Sequence, residues 1–186
     1  MRFQPLAPRD VRWTPVAGAG LEHLHLTTET GDILARSVVI GERDGRAFGA
    51  TYAIRLDAAW HVRDVEVETV DGKRLALARS GAGRWTGADG THRADLDGCI
   101  DIDLSATPFT NTLPIRRLDG RLDGAAALRM VYVPFDTLAP FVDEQRYTAL
   151  SPRLFRYEAA DGSFSAELPV DEDGLVIDYP TLFWRA

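Results

Sequence analysis

The stretch DGCIDIDLSATPFTNTLPIRRLDG, residues Asp97 to Gly120, holds both signals that decide the fold. In its first third, Ile100, Ile102 and Leu104 alternate with Asp101, Asp103 and Ser105. That is the period of two expected of a strand with one face toward a core. In its last third, Thr110, Asn111 or Thr112 is a suitable helix cap, Pro114 suits a first turn, and Arg116 and Arg117 suit the negative helix end. The length allows only two helical turns or so. The segment therefore predicts a strand followed by one short helix, bracketed by the Asp-Gly pairs Asp97-Gly98 and Asp119-Gly120.

Outside this segment the alternation continues and no second helix is indicated. Tyr52, Ile54 and Leu56 repeat the period of two, as do Leu128, Met130 and Tyr132. Phe164, Ala166, Leu168 and Val170, then Leu175, Ile177 and Tyr179, follow the same rule. From Trp60 to Val67 the phase shifts from Trp60 and Val62 to Val65 and Val67, the signature of a β-bulge. Residues Asp136 to Arg146, interrupted by Pro140, read as a loop with a short turn.

Eight of the 16 glycines follow an aspartate: Gly45, Gly72, Gly90, Gly98, Gly120, Gly124, Gly162 and Gly174. Chance pairing of 19 Asp with 16 Gly would give roughly two, and Asp-Gly is the dipeptide that type I′ hairpin turns select. About a dozen strands follow, in a many-stranded antiparallel sheet, beside the one short helix. The irregular spacing of the pairs argues against equal repeats. With no low-complexity linker, residues 1–186 read as one mainly β domain.

A net charge of −7 is the wrong sign for a protein that draws affinity from phosphates, so nucleic acid is not expected as a partner. Cys99 is the single cysteine, which excludes an intrachain disulfide and a cysteine metal cluster and suits a reducing cytoplasm. No apolar run approaches the ~18 residues of a membrane helix.

Candidate chemistry is sparse. His23 and His25 share a strand face at the spacing of a metal-binding pair, but no third ligand is spaced to join them, and they read as half-exposed strand histidines. Asp101 and Asp103 also share a face and read as solvated or Arg-paired rather than catalytic. No nucleophile elbow, phosphate loop or dinucleotide fingerprint occurs. No cofactor or metal is expected. The most suggestive set is Arg116 and Arg117, Gln145, Arg146 and Tyr147, and Arg153, Arg156 and Tyr157. Guanidinium forks grip oxyanions, while tyrosines offer an apolar face with a polar tip. From this set Arg116, Arg117, Gln145, Arg146, Tyr147, Arg156 and Tyr157 are taken as candidate ligand-binding residues.

The strings GCIDIDL, TPFTNTLPIRRL, QRYTAL, FRYEA and ELPVDEDGLVIDYP resemble a bacterial family designated for glycolipid binding, formerly a domain of unknown function. The resemblance spans almost the whole chain. It implies a spiral β-roll around a single helix, a tendency to dimerise, and a likeness to lipoprotein carriers from which the glycolipid label derives. The expected function is thus a non-enzymatic, cytoplasmic binding protein for an amphipathic molecule held in a curved sheet. A hydrolase acting on a sugar- or lipid-like substrate and a structural dimerisation module are the alternatives.

Overall fold

A computed structural model describes residues 3–43, 45–121 and 124–186. Among these residues 14 strands form two sheets. The larger sheet contains β1 (Arg9–Pro15), β2 (Leu21–Glu29), β3 (Asp32–Arg43), β4 (Arg46–Leu56), β5 (Val62–Thr69), β6 (Arg74–Arg79) and β7 (Trp85–Gly87). The C-terminal strands β13 (Asp178–Tyr179) and β14 (Phe183–Arg185) complete it, in the order β13-β14-β1-β2-β3-β4-β5-β6-β7. The smaller sheet runs in the order β12-β11-β10-β9-β8. Its strands are β8 (Asp101–Leu104), β9 (Ala125–Val133), β10 (Phe141–Ser151), β11 (Leu154–Ala159) and β12 (Ser165–Pro169).

The expected mainly β architecture with one short helix is what the chain adopts. Two features refine it. The strands form two sheets rather than one, and β8 pairs with β9 in parallel, while all other pairs of strands are antiparallel. Parallel neighbours cannot be joined by a hairpin and need a crossover of a dozen or more residues, usually helical. The helix α1 (Thr112–Arg117), preceded by a 3-10 turn at Phe109–Asn111, lies in that crossover. Asn111 has helical backbone angles and makes no side-chain cap, because the 3-10 turn already supplies the entry.

The inward faces make two apolar clusters. One gathers Trp13, Leu24, Leu26, Ile54, Val65 and Trp85 of the larger sheet with Ile102, Leu104, Val131 and Val133 of β8 and β9. The other gathers Met130, Tyr147, Phe155, Tyr157 and Leu168 on the opposite face of the smaller sheet. Leu113 of α1 enters the first and Ile115 the second, so the helix stands at the seam between them. Strand β9 is thus covered on both sides.

The Asp-Gly pairs mark turns of a different kind from the one expected. All eight glycines have positive φ, but none of the six aspartates among the described residues does. A type I′ turn needs both. Asp44 and Asp123 lie outside the described residues. At Gly72, the glycine N–H donates to Thr69 O at 2.9 Å and Thr69 N–H donates to Lys73 O at 3.0 Å. That is a type I turn closed by a left-handed glycine, in which the bulge needs glycine and the aspartate keeps ordinary backbone angles. Among the described residues the two-residue turn with positive φ at both positions is Thr30-Gly31, between the paired Glu29 and Asp32.

Two local readings are settled by the register. The phase shift before Val65 is a bulge, since Arg55 pairs with Asp64 and Leu56 with Val62. The segment Asp136 to Arg146 is not a loop throughout, because β10 begins at Phe141. Its inward positions are Phe141, Asp143 and Gln145. Two of the three are polar, so the apolar period was hidden.

Candidate functional site

On the inner face of the smaller sheet, directly paired residues share a side, and this stacks aromatic rings with carboxyl groups. Tyr132 of β9 lies opposite Phe141 of β10 with ring centres 5.3 Å apart. Tyr147 lies opposite Tyr157 at 5.5 Å, and Tyr157 continues to Phe164 at 6.0 Å and Tyr179 at 6.3 Å. All of these rings but Tyr147, with Asp103, Asp143, Glu144 and Asp161, line a hollow of about 580 Å³. Gln145 ties two of the acids together: its Nε2 donates to Asp103 Oδ2 at 2.7 Å and to Asp143 Oδ2 at 2.9 Å. Thr110 Oγ1 donates to Asp103 Oδ1 at 3.0 Å, and burial pushes the Asp103 carboxyl above its usual range. Gln145 Oε1 is buried and has no partner. Burial raises the phenols of Tyr157 and Tyr179 well above the ordinary value, so both stay neutral at physiological pH.

A second hollow of about 830 Å³ opens beside the first. It is walled by Trp13, Val39, Phe48, Phe135, Leu182 and Phe183, with Glu22 also in its lining. Ser105, Tyr132, Leu182 and Phe183 line both hollows, so the two adjoin. Their volumes fall in the range of small-molecule sites.

The structure separates the residues that the sequence placed close together. Gln145, Tyr147 and Tyr157 face inward, and Tyr157 lines the smaller hollow. Tyr147 is spent on the helix, its hydroxyl donating to Asn111 Oδ1 at 2.8 Å. Arg146 and Arg156 are exposed on the other face of the sheet, and Arg156 pairs with Glu167 at 2.9 Å. Arg117 grips Asp101 through two nitrogens, the shortest contact being 2.5 Å, with both side chains almost fully buried. Arg116 donates to Asp173 O and Gln4 O, both at 2.9 Å, and lies 4.6 Å over the Trp60 ring. Arg153 reaches Asp171 O. Asp101 is accordingly Arg-paired, and it is buried rather than solvated.

His23 and His25 are half-exposed on β2 as expected. His25 Nδ1 lies 2.7 Å from Asp10 Oδ1, and Arg12 Nε donates to His23 Nδ1 at 3.1 Å. Among the described residues no three His, Cys, Asp or Glu side chains are grouped to hold a metal ion.

Sequence reasoning missed Asp103 and Asp143 as a joined pair, the ring of Tyr132, Phe164 and Tyr179, and Glu22. The signal for Glu22 was present: in LEHLHL the inward phase is Glu22, Leu24, Leu26, a glutamate in apolar register.

The chain is thus a two-sheet β protein in which an aromatic, acid-lined hollow adjoins a second with an apolar wall and a charged rim. No helix among the described residues is long and apolar enough to cross a membrane. The family described as "Putative glycolipid-binding" matches residues 10–185, and the chain belongs to it. A crystal structure of a DUF1089 family protein from Pseudomonas aeruginosa is similar, with a TM-score of 0.78 and 39% sequence identity over 91% of this chain and 94% of that one. No curated protein matches the chain.

Proposed function

We propose that the chain is a non-enzymatic binding protein for an amphipathic, glycolipid-like molecule, with a sugar head in the smaller hollow and an apolar chain in the larger. The observation that carries this is the meeting, at Tyr132, Leu182 and Phe183, of an aromatic, acid-lined hollow with a second one whose wall of Trp13, Val39, Phe48 and Phe135 lies beneath a charged rim. Carboxylates accept hydrogen bonds from sugar hydroxyls, and aromatic faces cover the apolar C–H faces of a pyranose. Of the seven residues nominated from sequence, Gln145 and Tyr157 keep a binding role in this reading. Arg116 and Arg117 serve the frame, and Tyr147 positions the helix. Arg146 and Arg156 stand outside the site. Buried, free Cys99 fits the proposed cytoplasmic setting, and dimerisation stays with the proposal, to be read by sedimentation velocity.

The test is calorimetry with dodecyl maltoside below its micelle concentration, beside maltose and dodecanol as half-ligands. The surfactant should bind more tightly than either half, and Asp143→Ala should weaken it about tenfold, the effect of losing one charge-assisted hydrogen bond. Native mass spectrometry of the freshly purified protein should show a co-purifying amphiphile. Equal affinity for dodecanol and dodecyl maltoside would remove the sugar site, and no binding of any of the three would remove the function.

A further inference from the structure

Three polar side chains occupy core-facing positions on adjacent strands of the larger sheet: Glu22 on β2, Ser37 on β3 and Tyr52 on β4. All are buried, Glu22 to 2% exposure. Glu22 Oε1 accepts from Ser37 Oγ at 2.9 Å and from Tyr52 Oη at 2.5 Å. Tyr52 Oη in turn lies 3.4 Å from Thr107 Oγ1, in the segment that lines the smaller hollow. Glu22 Oε2 has no partner, no ion pair reaches Glu22 among the described residues, and the residue lines the larger hollow.

A buried polar atom without a partner is costly, and native proteins rarely keep one without a use. With both donors aimed at Oε1, the proton of the neutral acid belongs on Oε2. A neutral Glu22 is therefore a donor on the wall of the larger hollow that has no acceptor within the fold.

We infer that Glu22 is the acid anchor of the larger hollow, donating Oε2–H to the carbonyl oxygen that joins an acyl chain to its polar head. The inference rests on the amphiphile reading above and names the chemistry within it: an ester or amide, rather than a plain ether. The position agrees, since the Glu22 cluster touches Thr107 and so lies beside the partition between the two hollows, where a head-to-chain linkage falls. An ionised Glu22 cannot donate, so the bound state takes up the protonated acid and affinity declines as the group ionises.

Burial pushes the Glu22 carboxyl up to about 7, against the pull of Tyr52, Thr107 and Ser37. The groups facing it are Tyr52 from β4, uncharged Ser37 and Val39 from β3, Trp13 from β1 and Thr107. The charges of the hollow, Glu42, Arg43, Arg46, Asp71, Lys73 and Asp136, are all exposed.

The experiment compares two surfactants with sugar heads and twelve-carbon chains: sucrose monolaurate, which has an ester carbonyl, and dodecyl maltoside, which has none. Affinities are measured by calorimetry at about pH 6 and about pH 8.5 for the wild type and for Glu22→Gln. Wild-type affinity for the ester should fall at least about tenfold at the higher pH, as the competent fraction shrinks. Glu22→Gln should hold the pH 6 affinity at both values, because its amide N–H donates from the place of Oε2 while its carbonyl accepts from Ser37 and Tyr52. Dodecyl maltoside should change by less than about threefold.

Ester affinity that rises with pH, or that is lost at pH 6 in a Gln variant shown folded by circular dichroism, would make the carboxylate an acceptor and overturn the inference. Binding of both surfactants with the same flat pH profile overturns the Glu22 anchor alone and leaves the amphiphile reading intact. Failure of both to bind at either pH overturns the two together.

Discussion

Glu22 shows how one side chain couples folding to pH. Its ordinary value is 4.5, and in the fold burial raises it to about 7. Below about 4.5 the carboxyl is neutral in both the folded and unfolded chain and costs nothing by this route. Between 4.5 and 7 the unfolded chain releases the proton while the fold keeps it, so stability falls as pH rises, reaching a loss of about 3 kcal/mol above 7. Carboxylates held below their usual range, such as Asp57 and Asp97, act in the opposite direction. The informative quantity is therefore the difference between wild type and Glu22→Gln in urea unfolding at pH 4.5 and pH 8. The variant should gain about 3 kcal/mol relative to wild type between those two values, and an unchanged difference would mean Glu22 titrates like a surface acid. At this scale the sequence was legible in part. Period two already separates Arg146 from its neighbours Gln145 and Tyr147, and Arg156 from Tyr157. Which of the two faces lies inward depends on partner strands distant in the chain, and that was not legible.

The helix shows what an element owes to its connection. Six residues with Pro114 inside have little intrinsic stability. What holds α1 is packing of Leu113 and Ile115 into separate clusters and the Arg117 fork on Asp101 of β8. Because both charges are buried, removing one leaves the other uncompensated, a loss of 3–5 kcal/mol in typical cases. Arg117→Ala should accordingly lower the urea midpoint by about that free energy, and Arg117→Lys should recover only part, since a point charge cannot make the two-pronged contact. A variant within about 0.5 kcal/mol of wild type would show that the pair contributes nothing to the fold. The helix itself was legible from Pro114 and the two arginines. The parallel pairing that requires it was not, because period two is the same in either strand direction. Strand β10 was hidden for a more telling reason: its inward residues Asp143 and Gln145 are polar because Asp143 lines the hollow and Gln145 ties it to Asp103. Where a strand serves a site rather than a core, the apolar alternation that reveals strands is lost.

On the scale of the whole molecule, the C-terminal hairpin of β13 and β14 is the wall that both hollows share. Arg185 fixes it, donating to Asp171 Oδ2 at 2.6 Å and to the carbonyls of Leu175 and Val176 at 2.9 and 2.7 Å. Val16 N–H donates to Leu182 O at 2.9 Å and seats the hairpin on the end of β1. Leu182, in the hairpin loop, lines both hollows yet is 39% exposed, so its side chain is open to change without disturbing the core. If one molecule occupies both hollows, its two halves act as linked ligands, and the second half binds at the high effective concentration set by the first. Leu182→Trp adds bulk at the neck and should break this linkage while changing stability by less than about 0.5 kcal/mol, as for most surface substitutions. Dodecyl maltoside should then lose at least tenfold in affinity, whereas maltose and dodecanol, each confined to one hollow, should bind within about twofold of wild type. An equal loss for all three would place the substitution's effect inside a hollow, and no loss for the surfactant would mean that the two hollows are occupied independently.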